Sequence, residues 1–151
     1  MHSGAGPSTK SVHLVRRTDP ATRSIETPIF ENVAFAFDDL DTWQAVAVKE
    51  AEGDIYSRNS NPTTRQFEKR VAALEGAESA TSFATGMAAI STTLFALLDP
   101  GQRAVSVRDA YGATYLHFTQ ILPRFGVLCD VCETDDHEEI EAAIAQGCDV
   151  L

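Results

Sequence analysis

The chain has 151 residues, 44% of them hydrophobic and 23% charged, which is typical of a globular domain and argues against disorder. Its formal net charge is −10, and an acidic surface repels phosphate backbones, so we expect no nucleic-acid partner. No apolar run is long enough to cross a bilayer, and residues 1–10 lack a secretory signal. We therefore expect no membrane association and a cytoplasmic location.

The first fifty residues predict an arm, an extended segment and a helix. Residues 1–23 are polar and rich in Gly, Pro, Ser and Thr, which is typical of a flexible arm. Residues 27–37 include an alternation of apolar side chains with the period of a strand. A helix is predicted from Leu40 to Ala51, capped by the aspartates before it and ended by Gly53.

Residues 51–151 predict an α/β region with a mostly parallel sheet. After a turn-rich loop at 53–64, Asn61 and Pro62 are predicted to start a helix that Gly76 ends. Beyond it, predicted strands alternate with helices, as in βαβ units. The strands are predicted at 79–84, 103–107, 127–131 and 149–151, and the helices at 86–98, 112–125 and 137–145.

The strand predicted at 149–151 contains only its first residues, and an interior strand needs ladder partners. Three or four strands would leave the sheet unfinished. We therefore expect that the chain is one part of a longer protein, or that a partner chain completes the fold.

Three cysteines, Cys129, Cys132 and Cys148, occur late in the chain. Cys129 and Cys132 form a C-x-x-C pair, but a zinc site needs two further ligands, and a thioredoxin-type pair belongs at the start of a helix. This pair lies at the end of a predicted strand. We interpret all three as free core thiols and expect no metal site.

Two strand-to-helix junctions carry candidate ligand-binding residues. Thr85, Gly86 and Met87 lie where a helix begins, and its free N–H groups and positive end favour an anion. Tyr111 follows the strand at 103–107, where α/β proteins bind ligands, and can stack on a flat ring. The alternatives are a glycine that only makes the turn and a tyrosine at the edge of the core.

The loop at 53–64 holds a third candidate site. Arg58 offers a fork of donors that suits phosphate oxygens. Tyr56, two residues earlier, points to the same side if the segment is extended, so the two residues can form a phosphate clamp. The alternative is a solvated loop with a surface arginine.

In this order, the motifs resemble one family. The run YSRNSNPTTRQFEKRVAALEGAESATSFATGMAAI, with the later DAYGATYLHFTQILPRFGV, is similar to the pyridoxal-phosphate (PLP) enzymes of Cys/Met metabolism. These include cystathionine γ-synthase, cystathionine lyases, methionine γ-lyase and O-acetylhomoserine sulfhydrylase. The resemblance covers residues 27–151 and implies fold type I, the aspartate-aminotransferase type. The chain would hold the N-terminal arm and extended or helical segment (1–50) and the first part of the large PLP-binding domain (51–151).

The resemblance implies that the clamp acts between subunits. Tyr56 and Arg58 match residues that bind the PLP phosphate of a neighbouring subunit in this family. A homo-oligomer, either a dimer or a tetramer, is therefore implied.

The resemblance also implies roles for the two junctions. Gly86 and Met87 match the pair whose backbone N–H groups bind the PLP phosphate, and Thr85 stands where the family usually has serine. Tyr111 matches the catalytic tyrosine that stacks on the pyridine ring and assists proton transfer. Methionine γ-lyases typically have cysteine where this chain has Ala113, which weakens that particular assignment.

No lysine of this chain matches the one that holds PLP as a Schiff base in the family. Lys10 lies in the arm, and Lys49 and Lys69 lie on predicted helices before the phosphate-binding motifs. Asp130 and Asp149 come too early to be the acid on the pyridinium nitrogen. The missing groups follow in a longer protein, lie on a second polypeptide, or are absent from a non-catalytic relative, and the isolated chain is expected to be inactive.

The resemblance implies a PLP-dependent C–S lyase or a γ-synthase, a transferase, of cysteine and methionine metabolism. The completed enzyme would act in trans-sulfuration, by elimination or replacement at Cβ or Cγ of a sulfur-containing or O-acylated amino acid, with cystathionine chemistry included. Elimination and replacement stay undecided. The alternative is a non-catalytic interaction module on the same scaffold. The joint presence of Tyr56, Arg58, Gly86 and Tyr111 argues against that alternative.

Overall fold

The computed structural model describes residues 6–13, 23, 24 and 27–151, and the chain divides into two units, residues 1–82 and 83–151. The predicted regions 1–50 and 51–151 rest on the resemblance and stay a prediction. The first unit contains the helices α1 (Pro7–His13), α2 (Leu40–Ala47) and α3 (Pro62–Glu75). The second contains α4 (Gly86–Leu97), β1 (Arg103–Val107), α5 (Gly112–Leu116), a π-helical turn (His117–Ile121), a 3-10 turn (Leu122–Phe125), β2 (Leu128–Cys132) and α6 (His137–Ala145).

Helix α1 corrects part of the prediction for the N-terminal arm. Pro7 opens this helix at a position where its missing N–H costs nothing, and its fixed φ suits helical backbone. The N–H of Lys10 donates to the carbonyl of Gly6 at 3.0 Å, and α1 contacts α3. Residues 1–5 and 14–22, also predicted as flexible arm, lie outside the described residues.

Helix α2 begins as predicted and ends earlier. Asp39 is the N-cap, and hydrogen bonds from the backbone N–H and the hydroxyl of Thr42 hold the pKa of its carboxyl below the ordinary value. The helix ends at Ala47 because Lys49 adopts φ 63°, which turns the N–H groups of Glu50 and Ala51 back to the carbonyl of Ala45. The predicted extension to Ala51 is therefore wrong.

Gly53 does not end α2, contrary to the prediction. Its missing side chain instead allows the backbone to approach Val46 of that helix closely. A Cβ added at Gly53 would lie 2.8 Å from Cγ2 of Val46, and the branched valine has little freedom to move away. We expect Gly53→Ala to lower the free energy of unfolding by about 1–3 kcal/mol, measured by urea denaturation. The matched control is Gly112→Ala, whose added Cβ meets nothing within 4 Å. Equal stability of the two variants would contradict the steric explanation.

Helix α3 has the predicted ends but not the predicted buried face. Asn61 caps its N-terminus, Pro62 occupies the first turn, and Gly76 ends it with φ 69°. Phe67, Val71 and Leu74 recur with helical spacing, which predicts one apolar stripe. This stripe is largely exposed, with Phe67 at 59%, and Ala72 is the buried residue of the helix. Periodicity found the helix correctly, whereas burial depends on what packs against it.

The segment predicted as one helix at 112–125 changes its winding twice. The N–H of Leu122 donates to the carbonyl of His117, five residues earlier, which is a π-helical bond. Pro123 has no N–H to continue an α-helix, so the chain tightens into the 3-10 turn and stops at Gly126, with φ 82°. The helical character is confirmed, and the proline explains the change in winding.

The sheet is a parallel pair of strands, which confirms the predicted α/β arrangement. Strand β1 has the predicted bounds, and β2 starts one residue later than predicted. The shift arises because the N–H of Val127 still donates to the carbonyl of Leu122, and the first ladder bond is from the N–H of Leu128 to the carbonyl of Gln102. On the other side of β1, Val150 pairs with Ala104 in a parallel bridge, where a strand is predicted to begin.

The core lies on both faces of this sheet. On one face Ala104 packs in a cluster with residues of α4 and of the segment 118–127: Leu94, Leu98, Phe118, Leu122 and Val127. On the opposite face Val105 and Cys132 pack with Ala143 of α6. The helical spacing of Met87, Ile90, Leu94 and Leu97 predicts the buried face of α4. The prediction is correct at Leu94 and wrong at Leu97, because Leu98 is buried in its place.

The strand predicted at 79–84 is absent. The backbone N–H of Ser82 donates to the carboxylate of Glu68 at 2.8 Å and not to a neighbouring strand. A strand requires ladder partners, and this segment pairs with none in the described part of the chain. Across the same described residues, no helix has the length and apolar character needed to cross a membrane.

Candidate functional site

Tyr56 and Arg58 lie together in the first unit. The guanidinium carbon of Arg58 is 5.0 Å from the centre of the Tyr56 ring, within cation–π range. Both residues are exposed. The predicted side-by-side arrangement is present, although the segment is not fully extended. Tyr56 pairs with Ala34 in an antiparallel bridge, and a turn then brings Arg58 over the ring.

The turn after Tyr56 is fixed by backbone hydrogen bonds. The carbonyl of Tyr56 accepts from the N–H groups of Asn59 at 2.8 Å and Ser60 at 3.1 Å. The N–H of Ser57 donates to the carbonyl of Val33 at 2.8 Å. The guanidinium donors of Arg58 therefore extend from an ordered turn.

The start of α4 offers backbone donors to an anion. The hydroxyl oxygen of Thr85 accepts from the N–H of Ala88 at 3.1 Å and so caps the helix. Among the described residues, the N–H groups of Gly86 and Met87 have no hydrogen-bond acceptor. A Cβ added at Gly86 would meet nothing within 4 Å, so the protein leaves open space beside this helix end. These free donors and the positive helix end favour a bound anion.

Tyr111 follows β1 and precedes α5. Its side chain is 73% exposed, which leaves the ring and the hydroxyl available to a ligand. Its carbonyl accepts from the N–H of Tyr115 at 3.0 Å, so its backbone is tied to the first turn of the helical segment.

The second unit brings the starts of α4 and α5 together. The hydroxyl of Thr114 donates to the sulfur of Met87 at 3.6 Å, and this contact links the helix start at Gly86 to the one that Tyr111 precedes. Residues 85–87 and Tyr111 thus lie in one unit, whereas Tyr56 and Arg58 lie in the other. Thr114 was not predicted from the sequence. The only available signal was its place in the YGAT motif.

Asp130 and Asp149, rejected above as partners of a pyridinium nitrogen, hold the start of β1. Asp130 forms an ion pair with Arg103. The carboxylate of Asp149 accepts from the backbone N–H of Arg103 at 2.8 Å and from the side chain of Gln102 at 3.2 Å. Both carboxylates therefore have structural partners.

The prediction of core thiols is correct for Cys132, which is buried, whereas Cys129 and Cys148 are half-buried beside the core. Cys129 and Cys132 lie in β2 and pack with different core clusters, and all three thiols are unpaired. Burial raises the pKa of Cys132, and the nearby carboxylate of Glu139 raises it further. Burial also raises the pKa of Cys129, with a further contribution from Asp130.

A raised pKa predicts slow thiol chemistry at Cys132. The thiolate is the reactive form, and a pKa above the ordinary value keeps this buried thiol protonated at pH 8. We expect iodoacetamide to modify Cys132 more slowly than the half-buried Cys148, and the difference to vanish in urea. Mass spectrometry of timed digests measures both rates. Equal rates in the folded protein would show that Cys132 is accessible.

Comparisons with known proteins agree with this arrangement of motifs. Residues 8–151 match the family described as Cys/Met metabolism PLP-dependent enzyme. The chain is 34% identical over 140 residues to an L-methionine gamma-lyase of Porphyromonas gingivalis, which covers 93% of this chain and 35% of that protein. It is 34% identical over 139 residues to an O-acetyl-L-homoserine sulfhydrylase of Leptospira meyeri, covering 91% of this chain and 31% of that one.

A solved structure gives the same result. A Campylobacter jejuni protein described as an O-acetylhomoserine (thiol)-lyase, whose crystal structure contains a pyridoxyl-lysine monophosphate group, superposes on this chain with a TM-score of 0.86 at 32% identity. The match covers 96% of this chain and 36% of that one. The chain thus spans about a third of the length of the relatives it matches. Because the family match extends over nearly all of its residues, the chain belongs to the Cys/Met metabolism PLP-dependent enzymes.

Proposed function

We propose that the chain forms part of a PLP-dependent enzyme of sulfur amino-acid metabolism in which residues outside this sequence supply the lysine that carries PLP. The observation that carries the proposal is the capped start of α4, where Gly86 and Met87 leave two backbone donors free beside open space. This donor set fits the phosphate of PLP. When bound, PLP supplies an electron sink for the reaction.

The residues of this chain would bind and orient that group. The N–H groups of Gly86 and Met87 would donate to phosphate oxygens. Thr85 uses its hydroxyl oxygen as an acceptor for the cap, which leaves its O–H free to donate to the same phosphate. Tyr111, exposed at the second helix start, would stack on the ring and hold or release a proton at its phenol oxygen.

Tyr56 and Arg58 would add a second set of donors to a phosphate. The guanidinium is exposed and held over the Tyr56 ring, so it is placed before any anion arrives. In the family this clamp acts across subunits, and we therefore propose a homo-oligomer, either a dimer or a tetramer, for the complete protein.

Substrate and location follow as further parts of the proposal. Relatives named as a methionine gamma-lyase and an O-acetylhomoserine sulfhydrylase support a sulfur-containing or O-acylated amino acid as substrate. Elimination and replacement chemistry are both represented among these names. The three unpaired cysteines fit a reducing compartment, and we propose a cytoplasmic location.

The lysines of this chain support an attachment point elsewhere. All three of them, Lys10, Lys49 and Lys69, lie in the first unit, on α1, just after α2 and on α3. The second unit, which holds the free donors at Gly86 and Met87, contains no lysine in its sequence. We expect the isolated chain to be inactive.

Absorbance spectroscopy tests the proposal. The purified chain is mixed with PLP, alone and then with the polypeptide that carries the remaining part of the family sequence. A visible band of protein-bound PLP only in the second mixture, fixed by borohydride and mapped to a lysine of the added polypeptide, supports the proposal. A specific band on the isolated chain would show that one of its own lysines carries PLP. No band in either mixture would favour a non-catalytic relative.

A further inference from the structure

The hydrogen bonds around Ser57 link the Tyr56–Arg58 clamp to a distant part of the chain. Ser57 lies between the two clamp residues, and its hydroxyl donates to the carbonyl of Asn32, 25 residues earlier. Its backbone N–H donates to the carbonyl of Val33 at 2.8 Å. The residue in the middle of the clamp is therefore fixed on the extended segment at both its backbone and its side chain.

Asn61 closes this network from the other side. Asn61 is buried, with 7% of the residue exposed, and its side chain forms hydrogen bonds with three partners. The amide nitrogen donates to the hydroxyl of Ser57 at 3.1 Å and to the carbonyl of Phe30 at 3.0 Å. The amide oxygen accepts from the N–H of Thr63 at 2.8 Å and so caps α3.

An N-cap alone does not require an asparagine at this position. Aspartate and serine cap helices about as well, because the cap uses only an oxygen acceptor. The two bonds that the Nδ2 group of Asn61 donates leave the helix and end on Phe30 and Ser57. Asparagine is the capping residue that supplies an acceptor and two donors at once, so one side chain can join the helix start, the extended segment and the turn.

We infer that Ser57 and Asn61 are positioning residues that hold Arg58 over Tyr56 in the geometry that receives a phosphate. The identity of the anion rests on the proposed function, whereas the geometry rests on the contacts of Ser57 and Asn61 alone. Arg58 is exposed, and a long exposed side chain on a free loop would sample many rotamers. Pinning the turn at Ser57 limits where the backbone of Arg58 lies and favours the stacked arrangement at 5.0 Å from the ring centre.

Two variants remove the links and one matched control leaves them intact. Ser57→Ala removes the hydroxyl, and Asn61→Asp keeps the cap oxygen while removing the donors to Phe30 and Ser57. Thr63→Val is the control. Its hydroxyl also ties α3 to the extended segment, through Phe30 at 2.9 Å and Pro28 at 3.3 Å, but does not touch Ser57.

Nuclear magnetic resonance of the labelled chain reads the geometry directly. Protons of the Arg58 side chain over the Tyr56 ring are shifted upfield by its ring current and show cross-relaxation with the ring. We expect both signals to be lost in Ser57→Ala and Asn61→Asp and kept in Thr63→Val, even where Thr63→Val lowers the melting temperature as much. Ser57→Thr, which keeps a hydroxyl, is expected to restore them.

The inference is overturned if the Arg58 signals survive in Ser57→Ala and in Asn61→Asp, or if Thr63→Val loses them equally. If Asn61→Asp does not fold, Ser57→Ala decides the question alone. Titration of the complete protein, meaning this chain together with the polypeptide that carries the rest of the family sequence, separates the two proposals. The titrant is PLP, and its phosphorus resonance measures binding. If Arg58→Ala leaves the PLP affinity unchanged while the signals still depend on Ser57, the clamp function fails and the positioning role stands.

Discussion

Replacing Leu122 with alanine is expected to lower the free energy of unfolding of the second unit by about 2–5 kcal/mol. Leu122 is 0% exposed and packs in the main cluster of the core, beside Leu94 and Phe118. Its backbone joins the π-helical turn to the 3-10 turn, and its carbonyl accepts from Gly126 and Val127. Because these bonds hold the backbone in place, neighbouring side chains cannot easily collapse into the cavity, and the full penalty is expected.

The matched control is Leu116→Ala. Leu116 lies six residues earlier in the same helical segment and is 46% exposed, so we expect a loss within about 0.5 kcal/mol. Urea denaturation followed by circular dichroism measures both variants. The fluorescence of Trp43, the single tryptophan, is a poor substitute because it lies in the first unit. Equal losses from both variants would show that the cluster around Leu122 is not the core that stabilises this unit.

Local signals in the sequence predicted several elements correctly. Asn61 and Pro62 start α3 and Gly76 ends it, because each of these residues has a backbone or capping preference that acts within a few positions. Strand β1 was predicted with its bounds, since its apolar run lies between a turn and a helix start. Signals of this kind need no knowledge of the partner element.

The wrong predictions occur where a partner element or an uncommon backbone conformation determines the local structure. Lys49 ends α2 in a left-handed conformation that non-glycine residues seldom adopt, so composition pointed to Gly53 instead. The segment 79–84 has a strand-like sequence but no partner strand among the described residues. The exposed stripe of α3 has the period of a buried face, but the period does not show which element packs against that face.

The candidate site shows the same division between local signals and contacts with distant residues. The motifs at Tyr56, Gly86 and Tyr111 can be predicted from the sequence because each lies in a short segment next to a helix start or a turn. The hydrogen bond from Ser57 to Asn32 joins residues 25 positions apart, and the bond from Asn61 to Phe30 joins residues 31 positions apart. Nothing in the spacing of those residues indicates such a pairing. The sequence thus predicted the groups that would touch a ligand, and the structure adds those that hold them.

Arg58→Ala is expected to weaken PLP binding by the complete protein about 10–100-fold. Charge-assisted hydrogen bonds to a phosphate contribute about 1.5–3 kcal/mol, and about 1.4 kcal/mol corresponds to a tenfold change in affinity. The substitution should leave the fold unchanged, because Arg58 is exposed and its contact in the described structure is the ring of Tyr56. Arg58→Lys keeps the charge but loses the fork of donors, so an intermediate affinity is expected.

Arg124→Ala is the matched control for this loss of affinity. Arg124 is also an exposed arginine and lies in the 3-10 turn, but no candidate site includes it. Its replacement by alanine removes the same charge as Arg58→Ala. Titration of each variant with PLP, at fixed ionic strength, measures the dissociation constants, because general electrostatic attraction falls as salt rises. A tenfold or larger loss confined to Arg58→Ala assigns the effect to a specific phosphate contact. Equal affinities of the two variants would mean that Arg58 contributes only net charge, and that the clamp proposed at Tyr56 and Arg58 does not bind the phosphate.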